Sequence, residues 1–140
     1  MHPIEKWHQI VKTKDISLYD EFLSEDVVFY SPVVFTPQKG KDLTKAYLMA
    51  AGGVFSDKRE SSEEESKTDS AFKYTKEVIG EKSAMLEFES ELNGKYVNGI
   101  DLISWNEEGK ITEFKVFIRP LQAVNALHEM MGKMLERMKS

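Results

Sequence analysis

From Phe72 to Pro120, apolar and polar side chains alternate with a period of two, interrupted by three short polar stretches. Successive side chains on a strand point to opposite faces, so the pattern predicts four strands joined by three tight turns. The turns are Gly80-Glu81-Lys82, Asn93-Gly94 and Glu107-Glu108-Gly109-Lys110. Asn-Gly is the strongest signal, because a type I′ hairpin turn needs φ > 0 at both central residues. In the second strand, Ala84, Leu86, Phe88 and Leu92 face one way and Glu87, Glu89 and Glu91 the other. That is the alternation of an antiparallel sheet with one dry and one wet face. In the fourth, Phe114, Val116 and Ile118 oppose Glu113, Lys115, Phe117 and Arg119.

Elsewhere the period is helical. Pro3 suits a first turn, and Ile4, Trp7, Ile10 and Val11 fall on one side of a first helix. Asp15 is expected to cap a short second helix carrying Leu18, Phe22 and Leu23. Val27 to Tyr30 reads as a strand ended by Ser31-Pro32. A third helix is expected from about Asp42, with Leu43, Ala46, Tyr47, Ala50 and Val54 at helical spacing. After Pro120, a stripe of Leu121, Val124, Leu127, Met131, Met134, Leu135 and Met138 predicts a last helix. Residues 56–70 carry no aliphatic or aromatic side chain and are expected to form a mobile acidic loop.

One position breaks the alternation. Val97, Gly99, Asp101, Ile103 and Trp105 share a face of the third meander strand, and Asp101 is its lone carboxylate. Such a group is exposed, or paired with Lys or Arg, or the polar end of a pocket. Arg119 is the natural ion-pair candidate, yet alternation turns it to the opposite face. It is read as a structural residue at the strand-to-helix corner.

At 140 residues the chain is expected to be one domain, 1–140, with a core large enough to need no staple. The net charge of −5 argues against nucleic acid as a partner. With no cysteine, thiol chemistry, disulfides and cysteine zinc sites are excluded. His2, His8 and His128 lack metal-ligand spacing, so no metal or other cofactor is expected. Glu5 and Lys6 interrupt any leader-like apolar run, and no membrane-length run is present. The expected compartment is the cytoplasm, with no membrane partner. Ile100, Leu102 and Phe117 on the wet sheet face predict a partial homodimer contact.

Three stretches carry a resemblance to a known family: Asp15 through Phe29, Ser31-Pro32-Val33 through Lys39-Gly40-Lys41, and Gly99-Ile100-Asp101 through Gly109-Lys110-Ile111. They look like the acid-capped helix with first strand, the following loop, and the meander core of the nuclear transport factor two-like superfamily. The likeness is closest to its SnoaL-like and ketosteroid-isomerase-like branches. The resemblance implies an α+β, cystatin-like fold: a cone-shaped curved antiparallel sheet wrapped around N-terminal helices, with a C-terminal helix. It also implies an apolar cavity inside the cone. The wall expected from alternation and resemblance comprises Trp7, Phe29, Ser31, Leu86, Phe88, Asp101, Ile103, Trp105, Phe114 and Val116.

In the isomerase branch, a carboxylate base, a tyrosine and a protonated aspartate share the work. By the resemblance the protonated acid falls on Asp101, the base on Ser31 and the tyrosine on Trp7. Serine is no base without an activating partner, and tryptophan offers an N–H but no hydroxyl. The epoxide-hydrolase branch needs an Asp-Arg-Asp set that the inner face of the last strand does not supply. Two function classes remain. One is a binding domain for a small lipophilic molecule, with Asp101 as its main polar group. The other is an isomerase, lyase, cyclase or hydrolase acting on a lipophilic substrate through Asp101. In either case burial is expected to raise the Asp101 pKa.

Overall fold

A computed structural model describes residues 2–56 and 72–139 of the chain. The expected 56–70 loop lies outside the described residues, apart from Ser56 at the end of a helix.

Helix α1 spans Pro3–Thr13. A capping box starts it: His2 Nδ1 accepts from the Ile4 N–H at 3.0 Å, and the Glu5 carboxylate accepts from the His2 N–H at 3.2 Å. Asp15 does act as a cap, accepting from the Ser17 N–H, but the element it caps is a 3₁₀ turn, Ile16–Leu18, running into the four-residue α2, Tyr19–Phe22. Strand β1 runs Leu23–Tyr30, so Leu23 is a fully buried strand residue rather than part of the second helix. A two-residue β2, Gln38–Lys39, precedes α3, Lys41–Ser56. The meander is β3 Lys73–Ile79, β4 Ser83–Leu92, β5 Lys95–Trp105 and β6 Ile111–Arg119. Asn93 and Gly94 take φ of 52° and 76° at the expected tight turn. Helix α4, Leu121–Lys139, comes after a cis Arg119–Pro120 peptide.

One curved six-stranded sheet results, in the order β2-β1-β6-β5-β4-β3. It is mixed, not wholly antiparallel, because β1 lies parallel to β6. The chain makes a long excursion through α3 and four strands, β2 to β5, between them, and parallel neighbours need such a crossover. The fold class is otherwise as expected, α+β of the cystatin-like kind. Among the described residues no helix is long and apolar enough to cross a membrane.

The inner sheet face carries two core clusters. One packs Ile4, Trp7 and Ile10 of α1 with Leu86, Ile103 and Phe114. The other packs Ala123, Leu127 and Met131 of α4 with Phe88, Leu92 and Val97. The α4 stripe is narrower than its sequence predicts: Leu121 is 70% exposed and Met138 42%. The 123-127-131 row, four residues apart, takes the contact instead.

Candidate functional site

Strand β5 delivers Asp101 to the inner face, in register between Leu86 of β4 and Val116 of β6. It is 6% exposed. Its carboxylate accepts a hydrogen bond from the Tyr74 hydroxyl at 2.6 Å. The Tyr74 oxygen in turn accepts from the Trp7 indole N–H at 2.9 Å. A three-member chain from α1, β3 and β5 therefore ends on one carboxyl.

Tyr74 reaches this point through the local register. It pairs with Phe88 on β4, while Lys76 pairs with Glu87, so β3 slips by one residue at Thr75. Gly99 clears the floor beside it: a Cβ there would sit 2.4 Å from Phe88 Cζ. With glycine, the Phe88 ring lies close over β5 and meets Tyr74 edge-on, 6.0 Å between centroids.

The electrostatics derive from burial. Loss of water pushes the Asp101 carboxyl up to about 7, and the Tyr74 hydrogen bond only partly opposes this. Burial, then the Asp101 charge, lifts the Tyr74 hydroxyl well above its ordinary value. Tyr74 is thus a neutral donor, and Asp101 changes protonation near neutral pH. Among the described residues, Tyr74 is the side-chain partner of Asp101. Arg119 instead donates to Asn98 Oδ1 at 3.4 Å, as its strand face requires.

Beside this pair lies a cavity of about 510 Å³. Six expected wall residues line it: Trp7, Phe29, Phe88, Asp101, Phe114 and Val116. Four do not. Leu86 and Ile103 are fully buried within the α1 core cluster. Trp105, at the far end of β5, is 8% exposed and meets His2 edge-on at 5.2 Å. Ser31 lies in a separate surface depression with Val124, Asn125 and His128. The chain leaves the sheet after Tyr30, so Ser31 no longer obeys the strand alternation, and its hydroxyl accepts from the Val33 N–H at 3.1 Å.

Sequence reasoning misses Tyr74, and with it Tyr19, Leu48, Phe55 and Phe72 on the wall. Phe72 and Tyr74 alternate with Lys73 and Thr75, a short inward-facing signal before an otherwise exposed strand. His8 stands just outside. It pairs with the Glu77 carboxylate and meets the Tyr74 ring edge-on at 5.4 Å, bridging α1 to β3. Among the described residues no group of three or more His, Asp or Glu could hold a metal.

No family model and no curated protein matches the chain. Solved structures do. A steroid delta-isomerase from Pseudomonas aeruginosa is 28% identical with a TM-score of 0.83, covering 96% of this chain and 90% of that one. A bacterial protein with a cystatin-like fold from Silicibacter pomeroyi is 32% identical with a TM-score of 0.78, over 95% of this chain and 85% of that one. A nuclear transport factor two-like protein of unknown function from Cytophaga hutchinsonii shares the fold, at 17% identity and a TM-score of 0.58, over 86% and 90%.

Proposed function

Since the chain belongs to the nuclear transport factor two-like superfamily, we propose that it encloses a small lipophilic molecule and holds one carbonyl or hydroxyl of that molecule against Asp101. The observation that supports this reading is the 2.6 Å Tyr74–Asp101 hydrogen bond on the wall of an otherwise mostly apolar cavity. A cavity of this size with few convergent polar groups suits a ligand of drug-like dimensions. Below about pH 7 the protonated carboxyl donates to a ligand oxygen. Above it the carboxylate accepts from a ligand hydroxyl.

A second reading is favoured by the same pair. A carboxyl that titrates near neutrality, next to a neutral donor, is suited to take and return a proton at a carbon beside a carbonyl. The steroid delta-isomerase among the structural neighbours carries a name consistent with such chemistry. The route differs from the isomerase pattern, because Ser31, at the base position, is off the cavity. Asp101 itself then moves the proton.

Tyr74→Phe tests the pair directly. The Tyr74 hydrogen bond is what holds the Asp101 pKa down, so its removal should raise that pKa above about 7, read by carboxyl NMR titration. An unchanged or lower value would show that Tyr74 does not govern the acid. Binding and catalysis separate by incubating a keto-substituted polycyclic compound in heavy water. Wild-type-dependent exchange of its α-hydrogens, lost in Asp101→Asn, supports the enzyme. Binding without exchange leaves the binding domain alone.

We also propose a homodimer through the outer sheet face, where Tyr96 and Phe117 are 51% and 49% exposed. Glu87, Glu89 and Glu91 on that face keep the contact partial. Sedimentation at micromolar concentration that gives only the 16.1 kDa species would remove the dimer.

A further inference from the structure

One buried polar group on the cavity wall has no part in the proposed function. Tyr19 lines the cavity and is 6% exposed. Its hydroxyl has no hydrogen-bond partner among the described residues. Nor is it sealed in: among the described residues, the unpartnered side-chain oxygen that is fully enclosed belongs to Ser90. The Tyr19 oxygen therefore meets open space, and the open space beside it is the cavity.

The packing around Tyr19 does not require that oxygen. Tyr19 and Phe22 stand three residues apart on the short α2, so they share a face. Phe22 is fully buried and stacks on Trp7, with 5.6 Å between ring centroids and 19° between planes. The Tyr19 ring lies 6.5 Å from the same indole, tilted by 50°. Their neighbour Asp20 turns outward to Lys45 at 3.4 Å. A phenyl ring would fill the place of Tyr19. The added hydroxyl is buried without a partner in the protein, a net cost unless something that enters the cavity completes it.

The two tyrosines on the wall differ in what they can offer. Tyr74 accepts from Trp7 and donates to Asp101, so its one hydrogen is engaged. Tyr19 keeps its O–H and its acceptor capacity. Loss of water alone pushes its pKa up to about 12, so it is a neutral donor at neutral pH. The Asp101 charge, which lifts Tyr74, does not act on Tyr19, as expected of groups held apart. Trp7 adjoins both, with its ring beside Tyr19 and its N–H on Tyr74. Phe114 meets Trp7 edge-on at 5.0 Å and Phe29 lies 6.0 Å further along the wall. Aromatic walls of this kind favour flat ring systems, which stack or meet edge-on.

We infer that Tyr19 forms a second polar subsite, and that the ligand is a flat lipophilic ring system with two separated oxygen functions, one against Asp101 and the other accepting from the Tyr19 hydroxyl. The inference rests on the proposed cavity function and narrows its ligand from one oxygen to two. Tyr19 selects which molecule is held, whereas Tyr74 sets the state of the acid.

The test uses a polycyclic monoketone and a series of diketones on the same skeleton, differing in the position of the second carbonyl, titrated calorimetrically at pH 6. There Asp101 is mostly protonated and Tyr19 is neutral. At least one diketone should bind the wild-type protein about three- to tenfold more tightly than the monoketone, the factor for one neutral hydrogen bond. Tyr19→Phe keeps the ring and should bring that diketone down to the affinity of the monoketone. Without ligand, the variant should be as stable as the parent in urea, because no internal hydrogen bond is lost. Binding of the monoketone with no diketone preferred overturns the second subsite and leaves the cavity reading standing. A preference that survives Tyr19→Phe overturns it as well. So does a clear loss of stability in the variant, which would show that the hydroxyl already has a partner within the fold. If no ketone binds, the subsite and the cavity reading fall together.

Discussion

Two helices cover the concave face of the sheet, and they do so differently. Helix α4 lies down on it. Ala123, Leu127 and Met131 are buried against Leu92 and Val97, and Met134 comes so near α3 that a Cβ on Gly53 would stand 2.9 Å from it. Helix α1 reaches across. Trp7 touches Tyr74 and His8 touches Glu77 through their side chains, and the space alongside is the cavity. Each region has one buried polar side chain on the inner strand faces. Ser90, opposite Val97, and Asp101, opposite Val116, are both 6% exposed. The Ser90 hydroxyl has no hydrogen-bond partner among the described residues, whereas Asp101 has a tyrosine positioned by a strand slip and a tryptophan. Burial alone does not separate these residues. What separates them is that the polar group beside open space has been given partners.

The largest expected effect tests the packing half of this contrast. Leu127 on α4 and Leu48 on α3 are both 4% exposed, but Leu48 lines the cavity and Leu127 does not. Leu127→Ala should cost about 3 kcal/mol, within the range for a leucine deleted from a closed core. Leu48→Ala should cost about 1–2 kcal/mol less, because a wall residue already lacks partner atoms on one side. Urea unfolding measures both. Equal losses would mean that the two regions are packed alike and that the cavity is no defect in the core.

The second effect concerns the charge. Asp101 titrates near pH 7 in the fold and near 3.9 when unfolded, so the native state binds its proton more tightly. The stability this adds is fully present below pH 3.9 and is lost as pH rises through about 7. The full difference of roughly three pH units corresponds to about 4 kcal/mol, an upper bound for a group beside a cavity that can admit water. Asp101→Asn retains an oxygen for Tyr74 and removes the titration. The variant should match or exceed the parent by about 1–3 kcal/mol at pH 8 and lose that advantage by pH 4. A variant clearly weaker than the parent at pH 8 would mean an ionised acid with a partner of opposite charge. Asp101 would then be a structural residue like those of the α4 region.

Much of this arrangement is legible in the residues themselves. Period-two alternation places Asp101 inward, and Asn93-Gly94 sets the β4–β5 register that puts it beside Leu86. The helical stripes of α1 and α4 likewise emerge from spacing. Tyr74 is not legible as a partner, because it lies two strands from Asp101 and arrives there through a one-residue slip that has no glycine or proline to mark it. The parallel β1–β6 pair is hidden for a similar reason: local pattern says which face a residue takes, not which strand lies beside it. Ser31 is misplaced when alternation is carried one residue beyond the end of its strand.

The smallest effect probes the unpartnered side chain. A buried hydroxyl without a partner has lost its bonds to water and gained none in return, a deficit of about 1–3 kcal/mol before packing is counted. Ser90→Ala removes that oxygen and little else. The cavity it leaves is smaller than a methyl group, so the packing loss is slight. The variant should therefore be as stable as the parent, or more stable by up to about 1 kcal/mol, with an unchanged denaturant slope. Asp101→Ala, the matching truncation on the cavity side, also removes a buried polar group, but it strands the Tyr74 hydroxyl that donates to it. The two truncations should thus differ in sign at pH 4, where Asp101 is protonated and its charge no longer opposes folding. If Ser90→Ala is instead destabilising by about 1 kcal/mol or more, its hydroxyl has a partner such as bound water, and both buried polar groups on this face are built in.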